Sequence, residues 1–166
     1  MIPGKTELEG LVRDGLVRSA IDAGEQLQVN GFELTAARVE EYIGPGRLGF
    51  SNADRQLPGY RVLGWGDDGW LFLPPGCYKI VFNEVVALPK DLCAIARPRS
   101  SLLRMGVTVE TAVWDAGYKG RSEAMLVVHN RLGFHLRKDA RVVQLVFLRL
   151  GSAQEGYKGR YMNENI

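Results

Sequence analysis

Residues 73–106 read LPPGCYKIVFNEVVALPKDLCAIARPRSSLLRMG. Within them Tyr78 to Phe82, Glu84 to Leu88 and Leu92 to Ala96 are short runs rich in β-branched and aromatic side chains, the composition of strands. The pieces PPG and LPKD punctuate them with residues that favour turns. SSLLRMG departs from this rhythm: Ser100 or Ser101 can cap a single helical turn, and Gly106 can end it.

Working outward, the strand pattern recurs in Leu27 to Leu34, Tyr60 to Leu63, Trp70 to Leu73, Val107 to Trp114, Ala124 to Val128 and Arg141 to Leu150, with PGRLG, GDDG and NRLG in the gaps. Many short strands at close intervals predict an all-β sandwich, jelly roll or barrel rather than alternating β and α units. One longer helix is expected at the N-terminus. Apolar residues at 8, 11, 12, 16, 17, 20 and 21 trace one helical face from Leu8 to Ile21, and Gly24 ends it. Ile43 to Pro58 is polar and Gly-rich, which predicts an exposed loop. Without repeats or a long linker, one domain is expected over residues 1–166, with a helical region at 1–24 and a C-terminal arm at 151–166.

Of the 166 residues, 46% are hydrophobic and 24% charged, enough apolar surface for one substantial core. The formal charge of +2 and the scattered basic residues argue against a nucleic-acid footprint and point local Arg and Lys clusters towards a small anion. Cys77 and Cys93 form no CxxC pair and lack histidines at metal-ligand spacing, so they are read as buried thiols in a reducing compartment. The stretch MIPGKTELEG has no charged segment followed by an apolar run, and no segment reaches the length of a membrane span. The expected setting is the cytoplasm, with no membrane partner. Walker, HExxH and GxGxxG motifs are absent, as is the zinc-deaminase signature. His129 and His135 read as surface or capping residues, and Trp65, Trp70 and Trp114 as core or interface residues.

Three clusters carry chemistry. In Arg97 to Arg104, two serines opening a helical turn present hydroxyls and unpaired N–H groups at its positive end, bracketed by Arg99 and Arg104, which suits phosphate. A capped surface turn with solvated arginines fits the same residues equally well. In Asp115 to Gly120, an acidic residue after an apolar run, followed by a Gly-rich turn with an aromatic, suits a water held beside a flat ring. Asp-Ala-Gly is also an ordinary turn. The tail, GYKGRY at 156–161, is basic and aromatic on a flexible frame and frays unless something orders it.

Taken in order, these pieces resemble the dUTPase and dCTP deaminase superfamily. Residues 73–106 are similar to its central region, and PRSSLLRMG to its phosphate-binding motif. AVWDAGYKG resembles the G-x-I-D-x-D-Y-x-G motif of dUTPases, with Asp115 at the catalytic aspartate and Tyr118 at the tyrosine beneath the deoxyribose. ARVVQLVF, residues 140–147, is similar to the A-Q-L strand through Gln144 and Leu145, and GYKGRY resembles the C-terminal arm. NGFELTA, residues 30–36, is a looser match to A-G-x-D-L, with Glu33 where an aspartate is expected.

The resemblance implies a distorted jelly-roll or β-clip monomer with one N-terminal and one short internal helix, assembled as a homotrimer with sites between subunits and the arm closing over a site. It implies dUTP hydrolysis to dUMP and pyrophosphate, with Asp115 activating a water for attack on the α-phosphorus. Arg99, Ser100, Ser101 and Arg104 would hold the phosphates, with Lys158 or Arg160 at the γ end and Mg²⁺ bridging phosphate oxygens. Backbone groups of Val109, Thr111, Ala112 and Val113 would read uracil, Tyr118 would exclude a 2′-hydroxyl, and Tyr157 or Tyr161 would cover the base. Gln144 would support the hairpin. Glu33 is the candidate metal ligand, through a water.

Two other activities stay open on the same resemblance: dCTP deamination, alone or combined with hydrolysis, and nucleotide-binding regulation without turnover. Deaminases of the family need a glutamate on the strand after the G-[WY]-x-G turn. The corresponding positions here are Val127 or Met125, and neither is an acid. Because this strand is about two residues longer than the family pattern, a bulge can bring Glu123 or Glu110 into play.

Overall fold

The computed structural model describes residues 1–166. Strand makes up 43% of the chain and helix 13%, so the all-β reading holds. The first half runs α1 (Lys5–Arg13), β1 (Val17–Arg18), α2 (Ala23–Gln26), β2 (Leu27–Gln28), β3 (Gly31–Ile43), β4 (Gly59–Leu63), β5 (Trp70–Leu73) and β6 (Gly76–Phe82). The second half runs β7 (Val85–Ala87), β8 (Leu92–Pro98), α3 (Ser100–Arg104), β9 (Val107–Glu110), β10 (Lys119–Gly120), β11 (Glu123–Val128), β12 (Phe134–Arg137) and β13 (Arg141–Arg149).

The main sheet follows the path β8-β13-β3-β6-β11-β9, with β2 and β4 also pairing with β3; β1-β7-β10 and β12-β5 form two smaller sheets. Every ladder is antiparallel, and neighbours distant in sequence give the crossovers of a jelly roll. Phe32, Phe82 and Phe147 are fully buried in one cluster of 28 side chains. Burying each such side chain contributes about 1.5–3 kcal/mol.

The N-terminal expectation is corrected. The helix stops at Arg13, and Gly15, at φ +98°, turns the chain so that Val17–Arg18 can pair with β7. Leu16 and Val17 continue the helical period only by coincidence, since they are buried from β1 and the turn before it. Gly24 does not end a helix either. It lies inside α2, a third helix, whose start Asp22 caps by accepting from Glu25 N–H at 3.0 Å.

Other boundaries move for similar reasons. Leu27 to Leu34 splits at a hairpin into β2 and a β3 that runs on to Ile43. Val107 to Trp114 ends as a strand at Glu110; Trp114 bridges Ala94 on its own. Phe134–Arg137, absent from the expected strands, is β12 paired with β5. The 43–58 segment is largely exposed, with one 3₁₀ turn at Asn52–Asp54. Cys77 is exposed and Cys93 half-buried, so the expected pair of buried thiols is not found.

One buried polar knot places α2 against β3. Glu84, with no exposed surface, accepts from Thr35 N–H at 2.9 Å, Thr35 Oγ1 at 2.6 Å and Gln26 Nε2 at 2.6 Å. Gln26 also donates to the Glu33 carbonyl at 2.8 Å, which docks α2 on β3 beside Glu33.

Candidate active site

A cavity of about 350 Å³ opens between the turn after β9, the start of β11 and the C-terminal arm. Its wall includes Ala112, Val113, Trp114, Asp115 and Tyr118 from the turn, and Tyr157, Tyr161 and Glu164 from the arm. The turn is built from below. Trp114 is buried, donates from Nε1 to Ser122 Oγ at 2.6 Å and exchanges backbone hydrogen bonds of 2.9 Å with Ala94. Asp115, the next residue, is therefore held at an exposed position on the cavity wall. Gly117, at φ +80°, closes the turn; a Cβ there would stand 2.8 Å from Gly156 Cα, so the arm can cross only over a glycine.

The backbone of Thr111, Ala112 and Val113 makes no backbone hydrogen bond and is available to a ligand. Val109 differs: its side chain is buried, and its backbone lies in the ladder opposite Leu126. Of the residues expected to read uracil, Val109 is thus paired within the ladder, and the unbonded backbone begins at Thr111, where the ladder ends.

The arm is ordered on its own chain. Tyr157 N–H donates to Ala116 O at 2.7 Å, Asn163 N–H to Lys119 O at 2.7 Å, and Arg121 N–H to Glu164 O at 2.9 Å. Tyr118 and Tyr157 pack edge to face with centroids 5.8 Å apart, and Tyr118 donates to Glu164 Oε1 at 2.7 Å. Burial and then the Glu164 hydrogen bond push the Tyr118 hydroxyl far above its usual range, so it stays a proton donor. Burial likewise raises Glu164, with the nearby Glu123 adding to the effect, against the Tyr118 bond that lowers it.

Sequence reasoning brought Asp115, Tyr118, Tyr157 and Tyr161 to one place but left the acid on β11 undecided. The structure puts Glu123 on the cavity wall and Glu110 elsewhere. Lys79 on β6 holds it: Nζ lies 3.1 Å from Glu123 Oε1 and 2.6 Å from Glu40 Oε2, and 3.7 Å above the Tyr60 ring, another wall residue. Only the cross-strand register reveals this link, because Lys79 and Glu123 are distant in sequence. Leu57, Tyr60 and Glu164 were missed, lying outside any motif.

The residues expected to hold phosphate lie elsewhere, as does Gln144. Arg99, Ser100, Ser101, Arg104, Gln144, Lys158 and Arg160 do not line this cavity. The N-cap of α3 is Arg99, without a side-chain cap, so neither serine caps the turn. Ser100 and Ser101 stand exposed in the first turn with their N–H groups unpaired. Gln144 sits in register between Arg97 and Glu33, and Lys158 pairs with Glu155 at 3.1 Å on the exposed arm.

Glu33 does not fit a metal ligand. Its Oε1 accepts from Arg99 Nε at 2.7 Å, and Arg141 Nη1 lies 3.2 Å from Oε2. Two guanidiniums around one carboxylate leave no negative charge for a cation. No group of three or more His, Cys, Asp or Glu side chains is gathered to hold one elsewhere.

The dCTP deaminase-like family pattern matches residues 2–150. The chain belongs to the dCTP deaminase-like family. A Methanosarcina barkeri protein named "Probable deoxyuridine 5'-triphosphate nucleotidohydrolase" is 53% identical over 163 residues, 96% of this chain and 95% of its own. A 2′-deoxycytidine 5′-triphosphate deaminase from Agrobacterium tumefaciens superposes with a TM-score of 0.70 at 20% identity, over 90% of this chain. This chain spans about half of that deaminase, 49% of its length, and the likeness is one of fold. A mutant dUTPase of a Staphylococcus aureus phage, described for its coordination of a structural Mg(II) ion, superposes with a TM-score of 0.53 at 12% identity, over 86% of this chain and 97% of its own. The match to the dCTP deaminase-like family ends at Leu150, so every arm residue on the cavity wall lies beyond it.

Proposed function

We propose that this chain is a dUTP diphosphatase, releasing dUMP and pyrophosphate. The observation that carries the reading is Asp115, exposed on the cavity wall beside the buried Tyr118 and the unbonded backbone of residues 111–113. The Methanosarcina barkeri relative, alike over nearly the whole of both chains, supports the same reaction.

In this mechanism Asp115 orients a water and takes its proton as the oxygen attacks the α-phosphorus. The bond from that phosphorus to the α,β-bridging oxygen breaks, and pyrophosphate leaves. Free N–H and C=O groups at 111–113 pair with the fixed donor and acceptor pattern of uracil, and the Tyr118 ring beneath the sugar leaves no room for a 2′-hydroxyl. Arg99, Ser100, Ser101 and Arg104 hold the phosphates, with Lys158 or Arg160 at the far end. A magnesium ion, if bound, would supply positive charge to the leaving pyrophosphate, and no side chain of this chain is assigned to hold it.

In one chain the phosphate residues stand outside the Asp115 cavity. A homotrimer in which a neighbour supplies them accounts for the separation. Glu123 on the cavity wall favours a second reading, dCTP deamination, but its pairing with Lys79 commits the carboxylate to the wall rather than to proton transfer. The discriminating experiment incubates the protein and Mg²⁺ with dUTP or with dCTP and resolves the products by ion exchange. dUMP from dUTP and none from dCTP is expected; dUTP or dUMP formed from dCTP overturns the assignment, and binding without product points to a regulator.

A further inference from the structure

Glu164 stands two residues from the end of the sequence and outside the matched family segment, yet the backbone around it is tied down on both sides. Its carbonyl accepts from Arg121 N–H at 2.9 Å, the neighbouring Asn163 N–H donates to Lys119 O at 2.7 Å, and Asn165 Nδ2 donates to Arg121 O at 3.0 Å and Glu123 Oε1 at 3.1 Å. Its Cγ packs so closely on Gly120 that a Cβ there would lie 3.1 Å away. A segment tied on both sides in this way does not place a carboxylate on the cavity wall by fraying into it.

The two carboxylate oxygens differ. Oε1 accepts the Tyr118 hydroxyl at 2.7 Å, which fixes the direction of that proton. Oε2 has no partner within the chain, and it belongs to a half-buried group whose environment penalises unpaired charge. A carboxylate so placed repels phosphate and seeks a donor. With uracil's donor met by the backbone of residues 111–113, the donor remaining on a 2′-deoxynucleotide is the sugar 3′-hydroxyl.

We propose that Glu164 is a positioning and specificity residue for the sugar of the bound nucleotide: it fixes the Tyr118 hydroxyl through one oxygen and accepts the 3′-hydroxyl through the other. The proposal rests on the deoxyuridine-nucleotide reading above. It makes the closing turn of the arm, and not only its basic motif, part of substrate recognition.

The test measures kcat and KM of the full chain for dUTP and for 2′,3′-dideoxyuridine triphosphate, in the unaltered protein, Glu164→Ala and Glu164→Gln. Losing a hydrogen bond to a charged group predicts that the unaltered protein prefers dUTP tenfold or more in kcat/KM, mainly through KM. Glu164→Ala erases that preference by losing more on dUTP than on the dideoxy substrate, both falling as the Tyr118 hydroxyl loses its acceptor; Glu164→Gln, whose amide oxygen still accepts, keeps part of it. Equal loss on both substrates assigns Glu164 to clamping the arm and overturns the proposal. A gain on both makes it a plug, and no preference in the unaltered protein also overturns it. Equilibrium binding of dUMP and 2′,3′-dideoxyuridine monophosphate separates the two readings. A dUMP preference abolished by Glu164→Ala, in a protein that hydrolyses nothing, sustains the role of Glu164 and sinks only the hydrolase assignment.

Discussion

Arg99 donates from Nε to Glu33 at 2.7 Å, tying the head of α3 to the start of β3. The contact turns a candidate metal ligand into a brace for Arg99, the arginine proposed to hold phosphate. Glu33→Gln is predicted to raise KM for dUTP by about tenfold, the worth of one charge-assisted hydrogen bond. The magnesium concentration giving half-maximal rate stays unchanged in the same assay. A metal ligand, when removed, raises that concentration instead.

Asp115→Asn keeps the shape of the turn but removes the base. We expect kcat to fall at least about a hundredfold, with nucleotide affinity within about tenfold of the original. Full activity in the variant removes Asp115 from the mechanism.

Because the Asp115 cavity and the proposed phosphate residues are separate in one chain, two inactive variants are expected to rescue each other. Asp115→Asn and Arg99→Ala proteins, unfolded together and refolded as a mixture, recover about a quarter of the original activity if each site takes one half from each of two neighbours. No recovery argues for sites completed within a single subunit.

These predictions also show where the sequence was informative. Asp115 and Tyr118 were legible because they sit in one short motif, and Trp114 beneath them carries the apolar signal that ends the run. Most strands were legible from composition alone. The first helix was read too long because Leu16 and Val17 keep its period while belonging to another sheet, a tertiary choice that a local pattern does not contain. Lys79 and Glu123 meet only through the pairing of β6 with β11, and Glu164 reaches Tyr118 only after the arm folds back. Neither contact has a local signature.

The buried knot at Glu84 sets a stability prediction. Glu84→Ala leaves Thr35 N–H, Thr35 Oγ1 and Gln26 Nε2 without their acceptor, and unsatisfied buried donors cost about 1–3 kcal/mol each. Urea unfolding is expected to show a loss of at least about 3 kcal/mol, with KM for dUTP rising as α2 and Glu33 shift. An unchanged midpoint contradicts the assignment.

Glu40 and Lys79 predict a pH window. Burial opposes the charge on Glu40, but hydrogen bonds from Lys79 and Arg38 outweigh it and hold the carboxyl below its usual 4.5. A carboxyl depressed on folding contributes stability above its unfolded value and loses it as pH falls through the folded one. Lys79 is raised above 10.5 because its bonds to Glu40 and Glu123 outweigh burial, so its contribution lasts until pH climbs through that raised value. Glu40→Gln is therefore expected to lower Tm between pH 5 and pH 9 and to match the unaltered protein at pH 2. A constant difference across that range rules out the ion pair as its source.

Hydrolysis of dUTP in ¹⁸O-labelled water, with mass analysis of both products, tests the central claim most directly. Attack by an Asp115-activated water on the α-phosphorus predicts one labelled oxygen in dUMP and none in pyrophosphate. Label in the pyrophosphate, or no dUMP at all, contradicts the account.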